Sequence, residues 1–187
     1  NAERAKAQAA FADYGQYLDS LEMTATIKGF EPLYIQRIAQ LTNKSNQFNL
    51  TTLRCSEDDI RAMAGDKNDL CLCGKLVDKF GDNGIVTVVA GRQQGDVLDL
   101  TLWLMSCRVL KRGMEDAMMD TVVAEAAARG VKTIVGHYYP TAKNAMVREF
   151  YAQYDFAKAA EDADGNTEWT LDVAAYTPKH PHMKIER

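Results

Sequence analysis

The sequence predicts an α/β (α+β) fold: a mixed central sheet with helices on both faces, preceded by an N-terminal helical extension. Three observations predict it. Alternating apolar segments at 70–80, 85–90 and 97–105 follow one another across short turns, as in an antiparallel meander. After them, helical and strand-like segments alternate, which adds a strand–helix–strand unit to the meander. Before them, the spacing of apolar residues over 2–44 is mainly helical.

The elements before the meander are three helices and a short strand. An Ala-rich amphipathic helix is predicted over 2–21 and a second helix over 35–43. Polar–apolar alternation predicts a short strand over 45–52. Ser56 stands three residues before Asp59, which is the pattern of a capping box and predicts a brief helix.

The elements after the turn at 93–96 alternate. Residues 97–105 are mostly apolar, so this strand is expected in the middle of the sheet. The elements that follow are a helix over 114–129 ended by Gly130, a strand over 131–138, a helix over 140–154 and a closing hairpin over 156–173.

Three parts are therefore predicted along the chain. Residues 1–44 form the helical extension, 45–176 the mixed α/β domain and 177–187 a C-terminal tail. The sequence begins at Asn1 rather than Met, so it is expected to be a piece of a longer polypeptide, with 1–44 the remnant of a connection to an upstream domain.

Charge and hydropathy exclude several classes of protein. The 187 residues contain 22 basic and 26 acidic side chains, a net charge of −4. A nucleic-acid-binding protein or an anionic-membrane anchor normally has a basic excess or stripe, so neither is expected. No stretch approaches the roughly 18 apolar residues that a membrane span needs.

The four cysteines, at positions 55, 71, 73 and 107, are too few and too irregularly spaced for a secreted disulfide framework, which predicts a reducing cytoplasm. Zinc would need two ligands beyond the Cys71–Cys73 pair, and the three histidines have no paired spacing. No metal site is predicted.

Two stretches resemble the GCN5-related N-acetyltransferase (GNAT) fold. The first, Val109-Leu110-Lys111-Arg112-Gly113-Met114-Glu115, lies where that family has a Gln/Arg-x-x-Gly-x-Gly/Ala loop. The second runs from Asn144 through Tyr151 to Phe156. The resemblance implies acetyl-CoA or a carrier-bound phosphopantetheine as cofactor. It places the pyrophosphate at Val109, Lys111, Arg112, Gly113, Met114 and Glu115, the pantetheine arm at Asn144, and a proton donor to the leaving thiolate at Tyr151.

The chain departs from that family pattern at four positions. Leu110 stands at the Gln/Arg position, Val147 replaces Ala and Asp155 replaces Gly. Glu115 stands where Gly or Ala is usual; its carboxylate suits a helix N-terminus but would repel a pyrophosphate there.

A narrower resemblance is to FkbH-like proteins, on blocks at 37–52, 80–84, 103–110 and 139–144. That family joins a haloacid-dehalogenase (HAD) type phosphatase domain to a GNAT-like region and moves a glyceryl group onto an acyl carrier protein in polyketide biosynthesis. No HAD Asp-x-Asp motif follows an apolar strand here, so the chain resembles the C-terminal region alone. The implied partners are a carrier protein and the upstream HAD domain of a bifunctional glyceryltransferase/phosphatase.

Cys107 follows the long strand and precedes Arg108, which makes it a candidate nucleophile that holds an acyl group as a thioester. Because no base is identifiable and free cysteines are often buried, a packing role is the alternative. Tyr151 is weighed equally between general acid and packing.

Other polar side chains are weaker candidates. Lys111 and Arg112 could hold a phosphate or be solvated, and His137 could be a base or a packed residue. The remaining amides, Asn43, Asn46, Gln47 and Asn49, could recognise a polyol or pantetheine; for Asn43 a structural role is favoured.

Three functions follow. The first is acyl transfer from a carrier thiol, the second a degenerate domain that docks a carrier protein, and the third a small-molecule N-acetyltransferase using acetyl-CoA. The catalytic interpretation requires an open gap where two neighbouring strands diverge beside Cys107 and Arg108, able to receive a thiol-tipped ligand.

Overall fold

The computed structural model describes residues 2–9, 11 and 13–187. The helices are α1 (Ala2–Ala9), α2 (Tyr14–Ser20), α3 (Ile35–Lys44), α4 (Glu57–Gly65) and α5 (Met114–Ala128). The strands are β1 (Thr24–Lys28), β2 (Asp69–Asp78), β3 (Gly81–Gln94), β4 (Val97–Met105), β5 (Thr133–Tyr138), β6 (Ala157–Glu161), β7 (Thr167–Asp172) and β8 (Lys184–Glu186).

The strands form one mixed sheet in the order β6-β7-β5-β4-β3-β2-β1-β8. β2, β3 and β4 are an antiparallel meander, and β4 pairs in parallel with β5. This confirms the predicted mixed sheet and the interior position of β4, whose apolar sequence suits burial on both faces.

Helices cover both faces of the sheet. Trp103 and Met105 on β4 pack in one apolar cluster with α2 and α5, whereas Leu102 and Leu104 pack in a second cluster with α3 and α4. Successive side chains of a strand point to opposite faces, so the two clusters lie on either side of the sheet.

The N-terminal region differs from its prediction. Two helices replace the single helix over 2–21, because the Asp13 carboxylate accepts the backbone N–H groups of Gly15 and Gln16 and begins α2 there. β1 was not predicted; it pairs with β2 and β8. The predicted helical extension over 1–44 thus also contains a strand, which lies between the two helices predicted over 2–21 and 35–43.

The C-terminal residues 177–187 include a strand that was also not predicted. β8 adds to the sheet edge beside β1, and the Asp120 carboxylate on α5 accepts the backbone N–H groups of Lys179 and His180. This segment therefore lies against α5. The boundaries 1–44, 45–176 and 177–187 stay predictions.

The predicted helix over 140–154 is wrong. Two short 3-10 helices stand there, Ala145–Val147 and Tyr151–Tyr154. The Asn144 side chain accepts the backbone N–H of Thr141, and such local side-chain bonds compete with a regular helix. Elsewhere the capping box of α4, the left-handed Gly130 after α5 and the β6–β7 hairpin are confirmed.

Candidate functional site: a filled gap beside a basic cavity

β4 and β5 diverge after their first residues. Their parallel pairing is confined to Val97–Asp99 against Thr133–Val135, while β4 continues to Met105. A V-shaped gap therefore opens towards the C-terminal ends of the two strands, as expected for the GNAT-like order of elements.

The chain itself occupies that gap. The backbone N–H of Leu50 donates to the carbonyl of Trp103 at 3.0 Å, and the N–H of Met105 donates to the carbonyl of Phe48 at 3.0 Å. The Thr51 hydroxyl donates to the carbonyl of Thr101 at 2.7 Å. Alternate residues of β4 thus bond to residues 48–51, which we call the gap segment. The predicted strand over 45–52 is wrong, since only the bridge of Asn49 with Leu104 forms there.

Asn144 holds the other side of the gap segment. Its fully buried side-chain amide donates to the carbonyl of Asn49 at 2.9 Å and to that of Tyr139 at 3.0 Å. The amide oxygen accepts from the N–H of Thr141 and the hydroxyl of Tyr138. These four bonds use the full capacity of the amide, which leaves none for a pantetheine arm.

Aromatic rings pack beside the gap. Phe150 contacts Phe48, Trp103 and Tyr151, with ring centroids 5.1 to 5.3 Å apart. The Tyr151 ring lies against Gly136 of β5, where a Cβ would be 2.5 Å from the ring. Burial raises the pKa of the Tyr151 hydroxyl. This placement favours packing, and its role as a proton donor stays a prediction.

The prediction of an open gap beside Cys107 is therefore wrong. The strands part, but the backbone edge of β4 that would hold a thiol-tipped arm is already bonded to Phe48, Leu50 and Thr51. The physical reason is that a diverging strand leaves N–H and C=O groups without partners, and burial requires that they be satisfied.

The N-terminus of α5 is likewise satisfied from within. Gly113 precedes it with φ 94°, and the Glu115 carboxylate accepts the backbone N–H of Lys111 at 3.2 Å. Burial raises the pKa of that carboxyl above its usual range, against the opposing effect of backbone N–H groups that include those of Lys111 and Gly113. A carboxylate thus stands at the helix end where a pyrophosphate would bind, and the residues present do not fit that group.

The neighbouring loop residues are also engaged. Val109 and Met114 are fully buried. The Lys111 carbonyl accepts the Tyr14 hydroxyl. Arg112 donates to the Asp78 carboxylate at 3.3 Å, and Arg4 of α1 donates to the same carboxylate at 2.6 and 2.8 Å. The loop is therefore braced by the N-terminal helices; its predicted role in cofactor binding stays a prediction.

A cavity of about 820 Å³ lies beside the filled gap. This open cavity is lined by α3, the loop after it, the end of β4 and Lys143. Its lining comprises Arg37, Leu41, Lys44, Ser45, Asn46, Gln47, Met105, Ser106, Cys107, Arg108 and Lys143. We call it the basic cavity because four of these side chains are cationic and none is acidic.

Cys107 exposes its thiol at this cavity. The thiol donates to the side-chain oxygen of Gln47 at 3.2 Å. The other cysteines are less accessible: Cys55 and Cys73 are buried, and burial raises the pKa of the half-buried Cys71 to about 12. Cys107 is thus the exposed thiol of the chain's described residues.

The polar residues around Gln47 have unequal roles. Asn43 donates to the carbonyls of Ala39 and Cys55, which fits the favoured structural role. Asn49 bonds within its own loop. Asn46 accepts from Arg54, so it is fixed at the cavity wall.

His137 lies on β5, and none of its contacts in the described part of the chain is with Cys107. Its Nε2 is 2.6 Å from the Asp99 carboxylate, and its Nδ1 is 4.0 Å from that of Glu168. Sequence reasoning named His137 without these partners, because parallel β4–β5 pairing was needed to bring Asp99 beside it.

Sequence reasoning missed three cations of the cavity. Arg37 and Lys44 are seven residues apart on α3, a spacing of two turns that places them on one face. That spacing was a usable signal. Lys143 had no such signal in the sequence, because it stands in a loop whose position depends on tertiary contacts.

No group of three or more His, Cys, Asp or Glu side chains suited to a metal ion occurs among residues 2–9, 11 and 13–187. Within those same ranges, no helix has the combination of length and apolar character that crossing a bilayer demands.

Known structures share this fold. The ribosomal-protein-S18-alanine N-acetyltransferase of Escherichia coli matches with a TM-score of 0.60 at 16% identity, over 80% of this chain and 94% of its own. The GNAT domain of S. lividans PAT matches at 0.60 and 15% identity, over 78% and 89%. The spermidine N-acetyltransferase of Vibrio cholerae, solved with CoA and spermine, matches at 0.59 and 9% identity, over 80% and 96%.

The chain therefore has the mixed α/β fold of the GNAT acetyltransferases. No protein-family model matches the sequence, and no curated protein matches it either. At such low identity the likeness concerns the fold, and the resemblance to FkbH-like proteins stays a prediction.

Proposed function

We propose that this chain is an acyl-transfer domain in which the acyl group passes through the sulfur of Cys107 at the basic cavity. The observation that carries the proposal is the exposed Cys107 thiol, oriented by Gln47 in an 820 Å³ cavity. The gap that the catalytic interpretation required is filled by residues 48–51, so the proposal places the donor thioester in the basic cavity and not in the gap.

The proposed step is thiol–thioester exchange. The Cys107 sulfur attacks the carbonyl carbon of a donor thioester, a new C–S bond forms, and the donor's C–S bond breaks. The proton of the Cys107 thiol ends on the departing sulfur, so no further reactant is needed. The reverse exchange passes the acyl group to an acceptor thiol, while Arg108 and Lys143 border the cavity in which negative charge develops.

The biological setting follows the sequence resemblance. We propose that donor and acceptor thiols belong to the phosphopantetheine arm of an acyl carrier protein, that the group is a glyceryl or related acyl unit of polyketide biosynthesis, and that a HAD-type phosphatase domain precedes this chain in a cytoplasmic protein. The resemblance at 37–52 and 103–110 supports this setting.

The test is intact-mass measurement after incubation with an acyl-pantetheine thioester. We expect one acyl adduct on the wild type, none on Cys107→Ala, and an undiminished adduct on the control Cys71→Ala, whose thiol is half-buried. No adduct on the wild type, or an equal adduct on Cys107→Ala, would refute the proposal.

The filled gap favours a second candidate, a carrier-docking domain without chemistry of its own. Binding of a holo-carrier protein with no adduct at Cys107 would select this candidate. The fold neighbours favour a third, acetylation of an amine from acetyl-CoA. Acetyl-CoA in the gap must displace residues 48–51, so it would speed hydrogen exchange of the Leu50 and Met105 amides along with amine acetylation.

A further inference from the structure

The basic cavity concentrates positive charge in a chain whose net charge is −4. Among the described residues, its lining has four cationic side chains and no carboxylate. The four are Arg37, Lys44, Arg108 and Lys143. Like charges so placed repel one another, and a low-dielectric wall strengthens their combined potential. Such an arrangement is stabilised by an anion.

None of these four side chains forms an ion pair with a carboxylate in the described part of the chain. Arg37 donates to the Gln40 amide, and Arg108 donates to the Ser106 hydroxyl and the Asn83 carbonyl. These neutral partners orient the guanidinium groups without cancelling their charge. Elsewhere carboxylates pair with many of the chain's cations, as Asp78 does with Arg4 and Arg112.

The cavity is larger than a single inorganic anion requires. A volume of about 820 Å³ falls in the range of pockets that enclose small organic ligands. Leu41 and Met105, both almost fully buried, lie behind the wall, and Cys107 stands on the same lining. The ligand that fits is an anionic head attached to an organic chain that reaches the thiol.

We propose that the basic cavity is a phosphate-ester site that holds the phosphate of the acyl donor while its acyl end faces Cys107. This deepens the proposed function and rests on it for the identity of the ligand as donor. Guanidinium and ammonium groups bind phosphate oxygens through charge-assisted hydrogen bonds, with Arg37 and Arg108 suited to two-point contact. The site is distinct from the N-terminus of α5, where Glu115 stands.

The phosphate could be carried by a phosphopantetheine arm or by a small phosphorylated molecule. Titration calorimetry with 4′-phosphopantetheine, its dephosphorylated form pantetheine, and glycerol phosphate separates these sources. We expect 4′-phosphopantetheine to bind roughly tenfold more tightly than pantetheine. Tighter binding of 4′-phosphopantetheine than of glycerol phosphate identifies the arm as the source, and the opposite order identifies a small phosphate ester.

Charge-removal variants test the location. Lys44→Gln and Lys143→Gln alter exposed side chains, and each is expected to weaken 4′-phosphopantetheine binding about threefold to tenfold. The matched controls Lys158→Gln and Lys184→Gln remove ion-paired lysines at the two edges of the sheet and should leave binding unchanged. Equal affinity for pantetheine and 4′-phosphopantetheine, or wild-type affinity in both cavity variants, would overturn the proposal.

Failure of this proposal and failure of the proposed function are distinguishable. Phosphate binding is measured without turnover, whereas acyl transfer is measured as a mass adduct on Cys107. Phosphate-dependent binding without an adduct supports the site and refutes the transfer step. An adduct that forms equally in Lys44→Gln and the wild type, with no phosphate-dependent affinity, supports the transfer step and refutes the site.

Discussion

The filled gap and the basic cavity share a wall yet differ in how their polar groups are satisfied. Residues 45–47 line the cavity, and the gap segment 48–51 follows directly in sequence. In the gap, the carbonyls of Thr101 and Trp103 and the N–H of Met105 on the β4 edge bond to the chain itself. In the cavity, four cations have no carboxylate partner among the residues that the structure describes. One loop thus fills the gap between β4 and β5 and lines a different cavity beside it.

This contrast indicates that the place where a ligand can bind depends on which polar groups lack partners within the protein, and not on the fold alone. A polar group already bonded inside the protein must lose that bond before it can hold a ligand, and the net gain is small. A cation without a carboxylate partner exchanges water for an anionic ligand without first breaking an ion pair. Substitutions in the gap should therefore change stability, and substitutions in the cavity should change binding.

The largest effect is expected from Asn144→Ala. The variant loses four side-chain hydrogen bonds that join the gap segment to the end of β5, and it leaves the buried carbonyl of Asn49 without its partner. We expect the free energy of unfolding to fall by about 3 kcal/mol, measured by urea denaturation. Its exposed neighbour gives the control: Lys143→Ala should change stability by less than about 0.5 kcal/mol. If Asn144→Ala and Lys143→Ala lowered the free energy of unfolding equally, the stabilising role assigned to the Asn144 hydrogen bonds would be refuted.

Gly136→Ala tests the packing of Tyr151 against β5. The added methyl group would lie 2.5 to 2.8 Å from ring carbons of Tyr151, so the ring or the strand must move. We expect a loss of about 2 kcal/mol, partly restored by the second substitution Tyr151→Leu. The control is Gly65→Ala at the end of α4, where a Cβ meets nothing within 4 Å. A loss in the control as large as in Gly136→Ala would contradict the steric explanation.

Glu115→Gln tests the occupied end of α5 and has the smallest expected effect. Because burial raises the pKa of this carboxyl, holding it ionised in the folded state costs free energy at neutral pH. The variant should be more stable than the wild type by about 1 kcal/mol at pH 7. As the pH falls through the raised pKa towards the ordinary range of a glutamate, the folded wild type takes up the proton and the difference disappears.

Paired thermal-denaturation series from pH 7 to pH 4 measure that difference, with Glu149→Gln as an exposed control. A variant that is less stable than the wild type, with a deficit that grows as the pH rises, would mean that the backbone N–H groups around Glu115 outweigh its burial.

Much of the fold was predictable because its signals are local. The meander, the apolar β4, the capping box at Ser56 and Asp59, and Gly130 after α5 depend on alternation, caps and turns within a few residues. β1 was missed because five residues without a turn motif become a strand only through β2 and β8. The helix over 140–154 was wrong because the Asn144 side chain bonds locally to the N–H of Thr141 and across the chain to the carbonyl of Asn49, which periodicity does not reveal.

The candidate site was predictable in part for the same reason. Cys107, Gln47 and Arg108 were singled out in the sequence, and the structure places all three on one cavity lining. Lys143 and the unpaired charge of Arg37 and Lys44 needed the tertiary structure, since no sequence pattern shows which cations lack a carboxylate nearby.

The amino-acid order alone determined the meander, the apolar strand β4 and the helices α4 and α5, since hydrophobic period and backbone capping act over short distances. Only the folded chain decided that residues 48–51 enter the space between β4 and β5 and that Glu115 covers the start of α5. Those outcomes depend on which buried N–H and C=O groups find partners far away in sequence, a condition settled when the whole chain packs.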